Sequence, residues 1–326
     1  MKKNIVIILI FFTSYLSAQE MNFDRFSLVN LQNYRYRTSP ITIQKLAFNN
    51  ELQYAYDVVY RSMGLTVSAR LRIPTIDPQE IKGIVIMLRG HQRREGYYIG
   101  RGTENSAETY LRHGWAVIAP DFLGYGASSP APAPWEMHQF YSTINAVELY
   151  KSLLQPKFRF ARTVTSEERI TLPSNFKKIV VWGHSNGGQV TLHFLEIIQQ
   201  PVSTVLWAPV CIDFPENIAH FSRNTEWARL FRENNKIEDF SLLKHLDKIA
   251  PGTAILLEQG TRDTAVPKSW SDALAESINR ENTRRREVGI GLINFRYEVY
   301  NNADHNMNPY RNTSLTGNVR FWESNP

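Results

Sequence analysis

Apolar positions recur along this chain with two different periods. Between Leu52 and Pro74, apolar and aromatic residues occupy every second position in two runs separated by Ser62-Met63-Gly64. A period of two is typical of half-buried strands, and a glycine between two such runs favours a tight turn. We therefore predict an antiparallel hairpin here, ended by Pro74 and Pro78. Residues 19 to about 46 show no clear period, and we expect them to form an irregular lead-in.

After the hairpin, short apolar runs alternate with segments that carry apolar residues at helical spacing. The predicted strands cover residues 83–88, 115–119, 179–182, 203–208, 253–257 and 293–299, and the predicted helices cover residues 103–112, 135–154, 189–198 and 269–278. Such alternation predicts an α/β domain over residues 51–326, preceded by an extension over residues 19–50. We expect a mostly parallel, twisted sheet with helices on both faces.

Two segments interrupt this alternation. Residues 156–174 lie between a predicted helix and a predicted strand, and we interpret them as a surface excursion. Residues 213–246 contain short helical patterns rich in aromatic and charged residues. A helical insertion at that point would lie over the carboxyl ends of the strands, where such sheets bind ligands. We interpret it as a small cap, called the cap segment below; the alternative is a helical connection that packs aside.

The start of the chain has the pattern of a secretory signal peptide. Lys2 and Lys3 precede an apolar stretch over residues 5–12, and mostly small residues follow up to Ala18. We predict cleavage after Ala18, since the apolar stretch is too short to span a bilayer comfortably as an uncleaved anchor. The expected mature protein is exported, to a periplasm or to the medium, without a stable membrane anchor.

Composition and charge narrow the possible functions. With 43% hydrophobic and 12% aromatic residues, the 326-residue chain can bury a full core. Its one cysteine, Cys211, excludes an internal disulfide, and we interpret it as a packing residue. Removal of Lys2 and Lys3 with the signal peptide lowers the net charge from +6 to +4. This mild excess, without a nucleic-acid-binding motif, favours a solvated surface over a nucleic-acid partner.

The strongest chemical signal is the stretch Gly183-His184-Ser185-Asn186-Gly187-Gly188. It follows an apolar strand pattern, precedes a helical one and contains the G-x-S-x-G nucleophile elbow. The serine of an elbow lies on a strained turn, which leaves its neighbours little room for side chains. The backbone N–H of Asn186 would lie at a helix N-terminus, where it can donate to an oxyanion. The alternative is a tight turn that carries an uninvolved serine.

A nucleophilic serine needs a base and an orienting acid. In a sheet of this topology, the acid follows a late strand and the histidine follows the last one. Asp263 lies in Gly260-Thr261-Arg262-Asp263-Thr264-Ala265-Val266-Pro267, just after the strand at 253–257, and His305 lies just after the last strand. Asp213, which follows the strand at 203–208, is a rival acid. Asp304 adjoins His305, and we expect it to act from outside the reacting set.

These motifs, with Ala119-Pro120-Asp121-Phe122-Leu123-Gly124-Tyr125-Gly126 and the hairpin, resemble those of α/β-hydrolases. Within that superfamily the chain looks like the prolyl-oligopeptidase-like and serine-aminopeptidase-like hydrolases, over about residues 54–307. The resemblance implies an α/β-hydrolase fold. It also implies that Ser185 is the nucleophile, that His305 is the general base and then acid, and that Asp263 orients His305. It implies no cofactor and no metal.

The resemblance also places a second oxyanion donor after the strand at 83–88. Many relatives have His-Gly there, whereas this chain has Leu88-Arg89-Gly90-His91-Gln92. Alignment on the glycine points to the backbone N–H of His91. Arg89 would lie near the mouth of the site and can pair with a substrate carboxylate or phosphate; exposed arginine on a solvated loop is the alternative. Three further arginines share that expectation: Arg93, Arg94 and Arg101.

Other residues are assigned less directly. Trp227, an aromatic residue of the cap segment, is a further candidate contact to substrate. Asp121 lies in a turn rich in proline and glycine, and we interpret it as structural.

The predicted activity is hydrolysis of a carboxylic ester through an acyl-enzyme. The chain has no room for the propeller domain of large oligopeptidases, which favours a small ester over a long peptide. A peptidase that acts on short peptides is the main alternative. It would need a carboxylate for the substrate amine, for which the cap segment offers Glu216, Glu226 and Glu238. An inactive binding protein on the same fold is a third hypothesis, and the oligomeric state stays open.

Overall fold

The structure is a computed structural model that describes residues 23–132, 137–155, 160–162, 176–210, 212–221, 225–233 and 237–325. In this part of the chain, the strands form one sheet of ten strands. They are β1 (Ile41–Asn49), β2 (Gln53–Ser62), β3 (Leu65–Pro74), β4 (Gly83–Leu88), β5 (Trp115–Pro120), β6 (Phe160–Arg162), β7 (Ile179–His184), β8 (Ser203–Trp207), β9 (Ala254–Gly260) and β10 (Asn294–Tyr300).

The helices surround this sheet. The α-helices are α1 (Leu28–Asn33), α2 (Glu104–Arg112), α3 (His138–Leu153), α4 (Asn186–Ile198), α5 (Phe214–Phe221), α6 (Glu226–Arg232), α7 (Lys268–Glu287) and α8 (Arg311–Ser324). Short 3₁₀ helices cover Phe23–Phe26, Pro78–Glu80, Ile237–Phe240, Leu242–Lys244 and Leu246–Lys248. No helix within the described ranges is both long and apolar enough to cross a membrane.

The strand order is β10-β9-β8-β7-β4-β5-β3-β2-β1-β6. Pairing is parallel from β10 through β5 and antiparallel among β5, β3, β2 and β1. The predicted mostly parallel sheet with an N-terminal hairpin is therefore confirmed. Because the carboxyl ends of β7, β9 and β10 lie at one edge, the loops that carry Ser185, Asp263 and His305 converge there.

The parallel strands β4, β5, β8 and β9 are buried on both faces, which explains why their sequences are largely apolar without alternation. One face carries Ile84, Ile86 and Val181 and packs against α3, α4, α7 and the helices of the cap segment. The other face carries Val85 and Val180 and packs against α2 and α8. The expectation of helices on both faces is confirmed.

The irregular lead-in was predicted wrongly at its end, because residues from Ile41 onward form β1. Ile41 and Ile43 are buried, and β1 pairs with β2. The register shifts between Ile43 and Lys45 and again between Leu46 and Phe48. Each shift inserts a residue and reverses the side chains that follow, which removes the period of two from the sequence.

Helix α8 was not predicted. Its sequence contains Gly317 and several residues that favour helices weakly, so its intrinsic helix propensity is low. Its apolar residues pack under the sheet instead, with Trp322 fully buried against Trp115 and Tyr110. Tertiary burial therefore stabilises a helix that its local sequence does not indicate. Most of the predicted excursion at 156–174 lies outside the described residues, apart from β6, which pairs with β1.

Candidate active site

Ser185 occupies a strained turn between β7 and α4. Its backbone has φ 55° and ψ −119°, a region that non-glycine residues rarely adopt. Backbone hydrogen bonds hold it there: its N–H donates to Trp207 O at 3.0 Å, and its carbonyl accepts from Gly188 N at 2.9 Å and from Val210 N at 3.1 Å. A Cβ at Gly187 would lie 1.9 Å from Leu88 O, so only glycine fits beside β4. The strand–turn–helix geometry expected of a nucleophile elbow is present.

Asp263 and His305 are joined by a hydrogen bond of 2.8 Å between Asp263 Oδ2 and His305 Nδ1. A carboxylate only accepts, so Nδ1 carries the proton and Nε2 is left as the basic nitrogen. Asp263 also accepts from Ala265 N at 2.8 Å, Val266 N at 2.9 Å and Gln259 Nε2 at 3.0 Å. Burial alone would raise the pKa of Asp263, but the hydrogen bond and electrostatic attraction of His305, with the hydrogen bonds from Val266 N and Ala265 N, hold it below its ordinary value. The carboxylate is therefore ionised at neutral pH.

Among the described contacts, neither the carboxylate of Asp213, the rival acid, nor that of Asp304 forms a hydrogen bond with the His305 ring. Asp304 instead accepts from Asn306 N at 2.8 Å and Asn308 N at 2.9 Å, which closes the loop that presents the histidine. Asp213 begins the cap segment, where its carbonyl accepts from Asn217 N. The geometry therefore favours Asp263 as the partner of His305.

Ser185 and His305 line one pocket of ≈ 640 Å³ at the carboxyl edge of the sheet. Among the described residues, no hydrogen bond joins the Ser185 hydroxyl to the imidazole. Such contacts are often long in unliganded enzymes and tighten when substrate binds. The arrangement brings the Ser185 hydroxyl and the His305 imidazole to one cavity, and the carboxylate of Asp263 is hydrogen-bonded to that imidazole.

Two backbone donors beside Ser185 have no acceptor in the described part of the chain. Asn186 is the first residue of α4, so its N–H has no partner within the helix. The N–H of His91 is also unpaired there, and both residues line the pocket. The loop after β4 passes close to the elbow, since a Cβ at Gly90 would lie 3.0 Å from Ser185 Cβ. These are the two donors that the sequence suggested for an oxyanion.

The sequence analysis missed His184, the second residue of the elbow. Its Nε2 is 3.1 Å from the carbonyl oxygen of His305, and the two rings are 4.7 Å apart. Because a carbonyl only accepts, Nε2 of His184 carries the proton. Burial lowers the pKa of His184 to about 3, so the ring stays neutral. His184 thus anchors the backbone of His305, and its place inside the elbow motif was the only sequence signal.

Comparisons with known proteins identify the fold. A family profile described as alpha/beta hydrolase fold matches residues 102–207. The chain has the α/β-hydrolase fold. Among proteins of curated function, no sequence match was found.

Several solved structures share this α/β-hydrolase fold. Acetyl xylan esterase 1 from Thermoanaerobacterium is 17% identical, with a TM-score of 0.62 over 93% of this chain and 94% of that one. Est1E from Butyrivibrio proteoclasticus, solved with ferulic acid bound, is 16% identical, with a TM-score of 0.58 over 82% and 98%. Dipeptidyl peptidase 4 from Porphyromonas gingivalis is 16% identical, with a TM-score of 0.61 over 84% of this chain and 36% of that one.

The surroundings of Arg89 differ from those expected of an exposed arginine on a solvated loop. It is 3% exposed, so it is not a solvated surface residue. Its guanidinium donates to Asp121 O at 2.8 Å, to Gly90 O at 2.9 Å and to Tyr97 Oη at 3.1 Å, and it lies 4.0 Å from the centre of the Tyr125 ring. It borders the pocket, and these contacts engage three of its five N–H groups, so its assignment as a substrate contact stays a prediction. Its observed role is to fix the loop after β4.

Asp121 has the structural role expected of it. The carboxylate is fully buried and accepts from Ser68 Oγ at 2.6 Å, Tyr97 Oη at 2.7 Å and Gly100 N at 2.8 Å. Burial raises its pKa, although these hydrogen bonds act in the opposite direction. Together with Arg89 it ties the loops after β4 and β5 to the sheet.

The cap segment contributes one wall of the pocket. Phe214, Asn217, Ile218 and Phe221 of α5 line it together with Ser185. The side chain of Trp227 lies outside the described residues, so its assignment as a substrate contact stays a prediction. Glu216 accepts a hydrogen bond of 2.7 Å from Trp270 Nε1, which ties α5 to α7.

Proposed function

We propose that the protein is a serine hydrolase that cleaves carboxylic esters. The observation that carries the proposal is that Ser185, on its strained elbow, shares a pocket with His305, whose imidazole is hydrogen-bonded to Asp263. The α/β-hydrolase fold supports it, since the similar structures include esterases and a peptidase.

The reaction has two half-steps. Nε2 of His305 takes the proton of Ser185 Oγ as the oxygen attacks the ester carbonyl, and Asp263 stabilises the imidazolium that forms. The N–H groups of Asn186 and His91 donate to the oxyanion of the tetrahedral intermediate. His305 returns the proton to the departing alcohol and leaves an acyl-enzyme. Water, deprotonated by the same histidine, then attacks the acyl carbonyl, and His305 returns the proton to Ser185 Oγ as the bond to the acyl group breaks and the acid leaves.

The charge of the pocket favours an ester over a peptide with a free amino terminus. Binding an ammonium group requires a carboxylate, and no Asp or Glu is among the described residues that line the pocket. The three cap carboxylates have other partners: Glu216 bonds to Trp270, Glu226 to Arg229 and Glu238 to Lys244. A peptidase is therefore the second candidate, and an inactive binding protein the third.

Burst kinetics test this proposal. We expect an ester burst with p-nitrophenyl butyrate and little turnover of an aminoacyl p-nitroanilide. Ser185→Ala should abolish both the burst and labelling by a fluorophosphonate, whereas Ser269→Ala, at an exposed position on α7, should change neither. Faster turnover of the anilide would favour the peptidase. No turnover and no labelling of the wild type would leave only the inactive binding protein.

We also propose that the protein is exported after removal of residues 1–18. The basic, apolar and small-residue order of that segment supports this. Mass spectrometry of the protein from its native host should show a chain that begins at Gln19. A chain that retains Met1 would contradict the proposal.

A further inference from the structure

Strand β10 lies at one end of the sheet, and its outer side pairs with no strand in the described part of the chain. Its inner side faces β9, where Asn294 N donates to Thr253 O and Tyr300 O accepts from Thr261 N. Backbone groups of successive residues alternate between the two sides of a strand. Those that point away from β9 therefore belong to three residues: Phe295, Tyr297 and Val299. Such outward N–H and C=O groups are available to a further strand.

The sequence of β10 is complementary to itself when a second copy runs antiparallel to it. Arg296 and Glu298 lie on either side of Tyr297, the middle residue of the strand. A two-fold axis at Tyr297 places Arg296 of each copy directly opposite Glu298 of the other. Directly opposite residues in an antiparallel pair share one face of the sheet, with Cβ atoms about 4.5–5.5 Å apart. Two arginine–glutamate pairs would therefore form.

The charges select this register over its neighbours. An axis at Arg296 or at Glu298 would place that residue opposite its own copy, and like charges directly opposite destabilise a sheet. An axis at Phe295 or at Val299 would give neither charge an opposite one and would pair only part of the strand. An axis at Tyr297 pairs the strand along its whole length. Charged residues on an edge strand usually discourage pairing with other chains, but here they favour one register of one partner.

The side chains on both faces of this edge suit such a pair. Val299 is apolar and 43% exposed, and it would lie opposite Phe295 of the second copy. On the other face, the side chain of Arg296 is 64% exposed and already forms an ion pair with Glu298 of its own chain. In the dimer each arginine would face the glutamate of the second copy as well as its own. Apolar and oppositely charged cross-strand pairs both stabilise a sheet.

We propose that the protein forms a symmetric dimer through β10, in which the sheets of two copies join into one continuous sheet. The partner is a second copy of this chain because the charge pattern of β10 is complementary to itself. The proposal does not depend on ester hydrolysis, since no residue of β10 lines the pocket that contains Ser185.

Sedimentation equilibrium of the purified protein tests this association. The wild type should reach twice the monomer mass, with a dissociation constant in the micromolar range or below. Arg296→Glu places glutamates opposite each other and should raise that constant at least about tenfold. Arg112→Glu is the matched control, because Arg112 is exposed on α2, which packs on β5, four strands away from β10. A monomeric wild type, or Arg296→Glu with an unchanged constant, would overturn the proposal.

A mixture of two charge variants tests the register. Arg296→Glu carries glutamate at both positions, whereas Glu298→Arg carries arginine at both, so each variant repels its own copy and complements the other. Each alone should dimerise at least about tenfold more weakly than the wild type. An equimolar mixture should form a heterodimer with an affinity close to that of the wild-type dimer. A mixture that stays monomeric, although both variants melt like the wild type, would overturn the proposal.

Hydrogen exchange of the wild type decides the question if either variant does not fold. The amides of Phe295, Tyr297 and Val299 point outward, so they should exchange more slowly as the protein concentration rises and the dimer forms. The amide of Asn294, which already donates to Thr253 O, is the internal control. Exchange of the three outward amides that does not change with concentration would overturn the proposal.

Discussion

Replacement of Asp263 by Asn should retain the fold and remove most of the proposed activity. Oδ1 of Asp263 accepts from the backbone N–H groups of Ala265 and Val266 at 2.8 and 2.9 Å. These two donors require an oxygen, so the amide of the variant keeps its oxygen there. Its NH₂ then takes the place of Oδ2, 2.8 Å from His305 Nδ1 and 3.0 Å from Gln259 Nε2.

This orientation reverses the proton on the imidazole. The new NH₂ donates to Nδ1 of His305, so Nδ1 must be bare and Nε2 must carry the proton. A protonated Nε2 cannot accept the proton of Ser185, and the imidazolium also loses its counter-charge. The same tautomer change in a serine-protease triad lowers kcat about 10⁴-fold, so we expect a loss of about 10³- to 10⁴-fold. Gln259 Nε2 would also face another donor, which costs about 1 kcal/mol of stability.

Asp304→Asn is a matched control. Asp304 also accepts two backbone N–H groups through Oδ1, and its Oδ2 faces the side chain of Asn308. We expect it to retain kcat within a few fold for p-nitrophenyl butyrate, with thermal melts showing that both variants fold. The reasoning would be refuted if Asp263→Asn kept kcat within tenfold of wild type, or if Asp304→Asn lost as much. A large loss in Asp213→Asn alone would move the acid to Asp213.

Three further changes probe the supports of the site. Gly187→Ala would place a Cβ 1.9 Å from Leu88 O. We therefore expect little soluble protein, or soluble protein whose Ser185 is not labelled by a fluorophosphonate. A variant with wild-type labelling and wild-type melting temperature would contradict this expectation. His184→Phe keeps an aromatic ring but removes the N–H that donates to His305 O at 3.1 Å. We expect kcat to fall about tenfold with little change in KM. An unchanged kcat would exclude the anchoring role of His184. Glu196 is fully buried with both carboxylate oxygens unpaired among the described residues, and burial raises its pKa well above the ordinary value. A carboxyl group whose pKa is raised in the folded state stabilises the fold at low pH, and the free energy of unfolding falls by about 1.4 kcal/mol per pH unit as pH rises from the unfolded pKa towards the folded one. Glu196→Gln should therefore lessen the loss of stability between pH 5 and 8 in urea titrations. If the variant and the wild type lose stability in parallel, the Glu196 carboxylate is not the cause.

The chemistry of the candidate site was largely readable from the sequence because it depends on local geometry and chain order. Gly183 and Gly187 flank Ser185 since a tight turn beside β4 excludes side chains, and this constraint is visible as spacing. Asp263 and His305 could be assigned since the carboxyl ends of parallel strands meet at one edge of the sheet. The hairpin and the buried strands followed from periods and apolar runs that burial imposes on short segments.

Features that depend on the surroundings of a residue were not readable in this way. Two register shifts hid β1, and α8 owes its helix to burial rather than to its own propensity. Arg89 gave no sign that Asp121 and Tyr97 would enclose it. His184 acts on the backbone of a residue 121 positions away.

Two amide side chains show this limit most clearly. Asn217 and Gln139 are ordinary polar residues in the sequence, and only the packing of α5 against α3 leaves Asn217 Nδ2 and Gln139 Oε1 buried without hydrogen-bond partners among the described residues. Sequence therefore determined the fold and the candidate reacting groups, since these follow from local conformation and strand order. Tertiary structure alone decided which polar atoms stay unpaired, because hydrogen-bond satisfaction depends on neighbours that are remote in the chain.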